Sequence, residues 1–266
     1  MEKLTVIKIG GNVIDDLQTL NRFLDDFAGR SGAKLLVHGG GKIAGEVAAA
    51  LGVESRMVEG RRITSAAMLR VVTMVYGGLV NKQLVSGLQA RGCNALGLSG
   101  ADGNLIAARK RPAREIDYGF AGDVEQVNAP ALHGLLKSGY VPVLAPLTHD
   151  RRGGLLNTNA DTIAAAVAVA MSALYRTTLL FGFEKPGVLR SGKTGMEVVP
   201  VLDVALYQEL KKNGEISGGM VPKLDNAFRA LQDGVGEVRI GDAGSLLGTT
   251  SDDPAGGTVL KLKLNT

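Results

Sequence analysis

Cysteine, tryptophan and long apolar runs are scarce or missing in this chain of 266 residues, and each shortage excludes a class of protein. Cys93 is the only cysteine, which rules out a disulfide framework and a thiolate metal cluster and fits a reducing cytosol. The most apolar long stretch, residues 162–174, is too short to span a bilayer. The N-terminus enters a strand pattern without the long apolar segment of a signal peptide. We therefore predict a cytoplasmic protein that does not bind membranes.

Aromatic residues are also few, at 4% of the chain, and no tryptophan is present. Nucleic acid is therefore a poor candidate partner, because single-stranded nucleic acids bind through aromatic stacking platforms. Thirty basic residues against 26 acidic ones give a net charge of +4, spread along the chain, which fits small anions better. A hydrophobic content of 45% is enough to bury a sizeable core.

The stretch from Lys34 to Gly45 has the strongest local pattern. The apolar run Leu35–Val37 is followed by three glycines, Gly39–Gly41, and then by an alanine-rich segment through Leu51, which predicts a buried strand, a tight turn and a helix. Glycines without a Cβ atom let a ligand lie on the main chain, and the helix presents free N–H groups and a positive dipole end to it. The turn suits a phosphate or carboxylate, although a tight corner without a ligand would also explain it.

A second glycine turn, Gly10-Gly11, ends the predicted strand Leu4–Ile9. A βαβ unit through the predicted helix Asp16–Ala28 would make this strand parallel to Leu35–Val37, so both turns would open at the same sheet edge. Lys8 lies deep in the strand, where its ammonium group must be paired or bound to a ligand because an unpaired buried charge is costly. The alternative is a lysine reaching solvent from an edge strand.

A third glycine turn, Ser217-Gly218-Gly219, opens the predicted helix Lys223–Gln232. Lys223 then lies near the positive end of the helix dipole, which is unfavourable unless an anion binds there. Asp161 begins a long alanine-rich helix just after Asn157. It is either a favourable charge at a helix start or the group that holds two lysine ammonium groups towards a phosphoryl group, while Asn157 binds substrate.

Residues 61–91 add two candidate features. Arg61 and Arg62 precede a predicted helix from Ser65 to Arg91 that is broken around Gly77-Gly78, with Thr64 or Ser65 as its N-cap. The two arginines could clamp a carboxylate, or they could be ordinary surface residues.

We predict one α/β domain over residues 1–266. It is a three-layer αβα sandwich around a mainly parallel sheet, with antiparallel β-hairpins from residues 104–127 as a lid. Its two lobes meet near residue 172.

The chemistry that fits glycine-rich anion turns and two separated lysines is phosphoryl transfer, which depends on positioning and positive charge. A carboxylate nucleophile is already ionised and needs no general base. The three histidines lie in unrelated contexts, and no carboxylate cluster has metal-ligand spacing, so no protein metal site is predicted. No P-loop motif is present. The motifs, in order, are Lys8–Gly11, Val37–Gly41, Gly60–Thr64, Asn157–Asp161 and Gly219–Lys223. In order and spacing they resemble the amino-acid kinase superfamily and, within it, the N-acetylglutamate kinase family, over essentially the full length.

This resemblance implies ATP-dependent phosphorylation of the γ-carboxylate of an N-acylated glutamate, the second step of arginine biosynthesis, with Mg²⁺ carried by the nucleotide. It implies that residues 1–171 bind the amino acid and residues 172–266 bind ATP. The residue roles that it implies are Lys8 and Lys223 as transition-state lysines, Asp161 as their organiser, Gly40, Gly41, Arg62 and Asn157 at the substrate, and Gly10, Gly11, Gly182, Phe183, Gly187, Ile216, Ser217 and Gly219 at the nucleotide.

Two departures from the family pattern matter. Gly182-Phe183 stands where the family usually has Asp-Val, so Glu184 is the candidate for the acidic contact on the nucleotide side. The chain starts directly at its first strand, without the extra helix of arginine-inhibited hexameric members, which favours a homodimer insensitive to arginine.

Several alternatives remain open from the sequence. Within the family, the substrate could be N-succinylglutamate, or glutamate or aminoadipate on a small acidic carrier protein; acetyl is favoured because the family as a whole uses it. A dinucleotide-binding domain would use Gly39, Gly41 and Gly45 as a loose fingerprint, but it leaves Lys8 and Lys223 unexplained. A catalytically dead amino-acid sensor is the fourth possibility, and the intact lysines disfavour it.

Overall fold

The computed structural model describes residues 1–58, 60–192, 195–248 and 256–263. The strands are β1 (Lys3–Ile9), β2 (Ala33–His38), β3 (Arg56–Val58), β4 (Arg61–Ile63), β5 (Ala95–Leu98), β6 (Ile106–Lys110), β7 (Gly122–Val127), β8 (Val141–Leu144), β9 (Leu147–His149), β10 (Leu155–Asn157), β11 (Arg176–Phe183), β12 (Leu189–Gly192), β13 (Gly195–Val198), β14 (Val201–Asp203), β15 (Glu237–Asp242) and β16 (Thr258–Lys261).

The α-helices are α1 (Gly11–Asp15), α2 (Leu17–Gly29), α3 (Gly41–Ala50), α4 (Ala66–Val72), α5 (Asn81–Gln89), α6 (Ala129–Lys137), α7 (Ala160–Met171), α8 (Val204–Lys212), α9 (Met220–Gln232) and α10 (Ala243–Gly248). A π-helical segment, Thr73–Val80, joins α4 to α5, and a 3₁₀ turn covers Asp102–Asn104. Within the described ranges, no helix is both long and apolar enough to cross a membrane.

The central sheet has the strand order β14-β16-β15-β11-β1-β2-β8-β5. Among these described strands, β15 and β16 pair antiparallel and the other neighbours pair parallel. The predicted mainly parallel α/β sheet is therefore confirmed, and β1 lies inside it between β11 and β2. This position excludes the alternative that Lys8 reaches solvent from an edge strand.

The two faces of the sheet carry separate apolar cores, as the alternation of side chains along β1 requires. Leu4 and Val6 face the helices α6, α7, α8 and α9, where they join a core that includes Ile163. Ile7 and Ile9 face the other helices and join a core that includes Phe23. The helices on both faces complete the three layers predicted from the sequence.

The lid differs from its prediction. We expected small antiparallel hairpins from residues 104–127 projecting from the main sheet. The structure has one hairpin, β6-β7, and it joins β9 and β10 in a second sheet of order β10-β9-β6-β7. The link is a parallel contact of Ala107 with His149, which local turn patterns do not reveal.

The predicted break at Gly77-Gly78 is wrong. The chain remains helical from Ala66 to Gln89, because the π-helical segment carries the backbone hydrogen bonds through the glycines. The N–H group of Asn81, for example, donates to the carbonyl of Tyr76, five residues earlier. A Cβ atom on Gly77 would lie 3.3 Å from Leu147, so this glycine permits close helix packing rather than a break.

Other boundaries agree closely with the predictions, with a few exceptions. Ser65 caps α4 by accepting a hydrogen bond from the N–H group of Met68, at 3.1 Å. Helix α9 begins at Met220, three residues before the predicted start. The sequence pattern predicts a last strand from Thr258 to Leu264; β16 covers Thr258–Lys261, and Leu264 lies outside the described residues. The sequence patterns missed α1, α10, β3, β4 and β14.

Candidate active site

The two N-terminal glycine turns meet at the carboxyl edge of the sheet. Strands β1 and β2 pair in register through Ile9 and His38, so each chain enters its turn at the same level. The N–H group of Gly39 donates to the carbonyl of Ile9 at 3.0 Å. A Cβ atom on Gly39 would lie 3.6 Å from the nitrogen of Gly11, which shows how closely the turns approach each other. The predicted placement of both turns at one edge is confirmed.

Gly40 is held in a conformation that only glycine adopts readily. Its φ angle is +137°, and a Cβ atom there would lie 3.3 Å from both the ring of Tyr76 and the side chain of Val80. Helix α3 starts at the next residue, Gly41, so its free N–H groups point out of this turn.

His38 supports the turn from inside. Its Nδ1 donates to the carbonyl of Gly39 at 2.7 Å, which leaves Nε2 to accept from the side chain of Asn81 at 3.1 Å. Burial lowers the pKa of His38 to about 4, so the ring is neutral at pH 7. Both ring nitrogens are engaged inside the protein, which is a structural role rather than that of a catalytic base.

A carboxylate joins the two predicted lysines. Asp161 Oδ1 lies 2.7 Å from the Nζ atom of Lys8, and Asp161 Oδ2 lies 3.4 Å from the Nζ atom of Lys223. Leu4, Val6 and Lys8 occupy every second position of β1, so the side chain of Lys8 points to the same face as the other two, which α7 and α9 cover. Asp161 stands in the first turn of α7, and Lys223 stands in the first turn of α9. The fold thus brings together three residues that are far apart in the sequence.

Electrostatics within this cluster favour a charged carboxylate. Burial by itself raises the pKa of the Asp161 carboxyl, but the charges and hydrogen bonds of Lys8 and Lys223 outweigh it and lower the pKa to about 2. Burial lowers the pKa of the Lys223 ammonium group. The Nζ atom of Lys223 also lies 5.6 Å from the ring centres of Phe181 and Phe183, within the range of cation–π attraction.

A cavity of about 220 Å³ opens beside Lys8 and the glycine turns. Arg62 and Asn157 line it, as do Gly10, Gly11, Gly40 and Gly41. Arg62 is anchored by hydrogen bonds to the carbonyl of Gly41, at 2.6 Å, and to the hydroxyl of Ser55. The side chain of Asn157 donates to the hydroxyl of Thr64 at 2.9 Å. Arg61, the neighbour of Arg62, lines the same cavity.

A smaller cavity of about 60 Å³ adjoins the first one on the side of α9. It is lined by Gly219 and Asp161, and Arg61 borders both cavities. Ser217 is exposed in the preceding loop. The side chain of Ile216 is only 4% exposed and belongs to the core, so only its main chain could face a ligand.

Of the remaining residues predicted at the nucleotide, Gly182, Phe183 and Gly187 are closely packed. A Cβ atom on Gly182 would lie 2.9 Å from the side chain of Ala243, and one on Gly187 would lie 2.7 Å from Val198. Phe183 is buried beside Lys223. Glu184 is exposed, and its charge acts on Lys223. Within the described ranges, no three His, Cys, Asp or Glu side chains come together to hold a metal ion.

Tyr76 is among the cavity residues that the sequence patterns missed. Tyr76 lines the larger cavity although it is only 5% exposed. It lies inside an apolar helical pattern, where an aromatic residue is ordinarily a core residue.

The comparisons with known proteins decide the family. The amino acid kinase family model matches residues 3–242, which is most of the chain. The chain belongs to the amino acid kinase family. Within this family, it is 57% identical over 239 residues to the acetylglutamate kinase of Bacteroides fragilis, covering 90% of this chain and 92% of that protein. It is 53% identical over 260 residues to the acetylglutamate kinase of Phocaeicola vulgatus, covering 98% and 99%. The resemblance seen in the motifs is thereby confirmed.

A solved structure of lower identity shares the fold. The crystal structure of N-acetylglutamate synthase from Neisseria gonorrhoeae, in complex with coenzyme A and N-acetylglutamate, superposes with a TM-score of 0.82 at 23% identity. The match covers 97% of this chain and 59% of the synthase.

Proposed function

We propose that this chain transfers the γ-phosphoryl group of ATP to the γ-carboxylate of N-acetyl-L-glutamate, giving N-acetylglutamyl 5-phosphate and ADP in the second step of arginine biosynthesis. The proposal depends mainly on one observation: Asp161 forms ion pairs with both Lys8 and Lys223. Lys8 lies beside a cavity that Arg62 and Asn157 also line. The names of the relatives at 53% and 57% identity supply the substrate.

In the proposed reaction a carboxylate oxygen of the substrate attacks the γ-phosphorus, and the bond from that phosphorus to the β,γ-bridging oxygen breaks. The electron pair of the broken bond stays on ADP. The attacking carboxylate is ionised at pH 7, so no base has to remove a proton. Lys8 and Lys223 stabilise the negative charge that spreads over the transferring oxygens, and Asp161 keeps the two ammonium groups oriented.

The main-chain donors and the cavity wall take the remaining roles. Gly10 and Gly11 face the phosphates, and Gly40 and Gly41 at the start of α3 face the reacting carboxylate. Arg62 and Asn157 hold the other end of the amino acid, where a guanidinium fork suits a carboxylate.

The nucleotide belongs to the half of the sheet formed by residues after 171. Strands β1, β2, β8 and β5 make one half of the central sheet, and β11, β15, β16 and β14 make the other, which supports two lobes with one ligand each. The residues assigned to the nucleotide are Gly182, Phe183, Gly187, Ile216, Ser217 and Gly219. Mg²⁺ on the nucleotide phosphates would neutralise part of their charge, and the glycine and lysine donors of the site fit such a complex.

The test is a coupled assay for ADP release with ATP and Mg²⁺. ADP should form only when N-acetyl-L-glutamate is added. Turnover of a nicotinamide dinucleotide, or no turnover with any acylglutamate, would contradict the assignment.

The acyl group is tested by comparing kcat/KM for N-acetyl- and N-succinyl-L-glutamate on one preparation. We expect acetyl to be preferred. A succinyl group carries another carboxylate and needs another cation, for which Arg61, which lines both cavities, is a candidate. A tenfold advantage for succinyl, about 1.4 kcal/mol, would overturn the preference.

We also propose that the protein works as a homodimer in the cytoplasm. Met74 and Leu79 are 54% and 45% exposed on the π-helical segment, and a second copy could cover this apolar surface.

A further inference from the structure

Tyr76 occupies an unusual position in the larger cavity. It lies on the π-helical segment, and π-helical turns inside α-helices are frequent at functional sites. The residue is 5% exposed, yet it lines the cavity that contains Lys8 and Arg62. Its surface is therefore turned to the cavity rather than to the outside of the protein.

The ring of Tyr76 is fixed against the glycine turn. A Cβ atom on Gly40 would lie 3.3 Å from ring atom Cδ1 and 3.5 Å from Cε1, so the ring packs directly on the Gly40 main chain. The neighbouring Gly77 holds the helix close to Leu147. The packing on Gly40 restricts the direction of the ring and, with it, the direction of the hydroxyl group.

Tyr76 and Arg62 line the same cavity, and the hydroxyl group of Tyr76 interacts with the guanidinium group of Arg62. Burial raises the pKa of this hydroxyl, and the interaction with the guanidinium group of Arg62 lowers it by less, so the group is protonated at neutral pH. Arg62 is itself held by the carbonyl of Gly41 and the hydroxyl of Ser55. A neutral O–H donor thus stands next to an anchored cation on one wall of the cavity.

We propose that Tyr76 is a substrate-binding residue that donates a hydrogen bond from its hydroxyl group to the carboxylate held by Arg62. The inference rests on the proposed function. For transfer, the γ-carboxylate of the acylglutamate must lie beside Lys8, so the carboxylate shared by Arg62 and Tyr76 is the α-carboxylate. Removing one donor from a buried carboxylate weakens its binding, because water cannot fully replace the lost hydrogen bond.

The test is Tyr76→Phe, which removes the hydroxyl group and keeps the ring on Gly40. The KM for N-acetyl-L-glutamate should rise about tenfold, equivalent to about 1.4 kcal/mol, while kcat and the KM for ATP stay within twofold. Tyr140→Phe is the matched control, because Tyr140 is 40% exposed and precedes β8 at the opposite edge of the sheet. It should change none of these constants.

A substrate analogue shows whether Tyr76→Phe removes a contact with the α-carboxylate or disturbs the cavity wall in general. 4-Acetamidobutyrate keeps the γ-carboxylate and the acetamide of the substrate but lacks the α-carboxylate. Its inhibition constant against N-acetyl-L-glutamate should be the same in wild type and Tyr76→Phe. If Tyr76→Phe weakens the binding of substrate and analogue equally, or leaves the KM for the substrate unchanged, the inference is wrong.

Failure of this inference is distinguishable from failure of the proposed function. If the wild-type protein forms no ADP with N-acetyl-L-glutamate, the function itself is wrong. If the wild type is active and Tyr76→Phe behaves like it, only the role of Tyr76 is wrong. Should the phenylalanine variant fail to fold, Tyr76→Leu also removes the hydroxyl group. In that variant the KM for N-acetyl-L-glutamate should rise while the inhibition constant of 4-acetamidobutyrate stays unchanged.

Discussion

Replacing Asp161 with asparagine tests the charge cluster directly. The substitution keeps the size of the side chain but removes the negative charge that pairs with Lys8 at 2.7 Å and with Lys223 at 3.4 Å. Two partly buried ammonium groups then face each other without a carboxylate between them. Breaking a buried ion pair on one side is destabilising because it leaves an uncompensated charge.

The magnitude follows from the pKa of Asp161. Its folded value of about 2, against 3.8 for the free side chain, corresponds to roughly 2 kcal/mol of stability at neutral pH. The side chain is only 16% exposed, so solvent screening reduces this value little. Because the folded pKa is lowered, the contribution is complete above about pH 4 and is lost as the pH falls through about 2. At pH 3 roughly half of it should remain.

Urea unfolding of wild type and Asp161→Asn at pH 7, pH 5 and pH 3 measures this contribution. The variant should be about 2 kcal/mol less stable at pH 7 and pH 5, and the difference should shrink by about half at pH 3. Asp25→Asn is the control, because Asp25 is 64% exposed in its pair with Arg91 and such pairs contribute little. A variant as stable as wild type at pH 7, or a difference that does not change with pH, would refute the electrostatic reasoning.

Three further predictions concern catalysis, packing and assembly. Lys8→Arg and Lys223→Arg should each lower kcat at least thirtyfold, about 2 kcal/mol, and leave the KM values within threefold of wild type. The reason is that both lysines stabilise charge that develops during transfer. If steady-state assays give a near-normal kcat for either variant, the lysine replaced in it has a structural role only. Lys34→Met should lower the free energy of unfolding by about 2–4 kcal/mol in urea, because the buried ammonium group donates to the carbonyls of Phe27 at 2.7 Å and Ala28 at 2.9 Å; equal stability would contradict it. Light scattering should give the mass of two chains, and an activity assay should show no inhibition by arginine. A hexamer that arginine inhibits would contradict both predictions.

The elements around Lys8 were predictable because their signals are local. A strand that ends in glycines and leads into a helix sets the direction of the chain, and the right-handed βαβ rule then makes β1 and β2 parallel. Alternation along β1 places Lys8 on the same face as Leu4 and Val6. A charged residue on a face that is otherwise apolar requires a partner, and Asp161 is that partner in the structure.

The lid and the nucleotide side were harder to predict because their contacts are not local. The contact of Ala107 with His149 joins segments that no turn pattern links. The family resemblance predicts Gly182 and Gly187 at the nucleotide. A Cβ atom at either position would overlap a packed neighbour. Close packing is thus a second reason for glycine at these two positions, and the local sequence pattern carries no sign of it.

The spacing of apolar residues around Tyr76 indicated a continuous helix, although Gly77-Gly78 suggested a break. Buried side chains recur there at every fourth residue, at Met68, Val72, Tyr76, Val80, Leu84 and Leu88. Four residues of a regular α-helix turn through about 400°, so a stripe with this spacing would drift by about 40° per step and about 200° over its length. Such a stripe stays on one face only if the helix is locally widened. The π-helical segment supplies this widening, and it brings Tyr76 to the cavity. The spacing, rather than Gly77-Gly78, was thus the better guide to this part of the site.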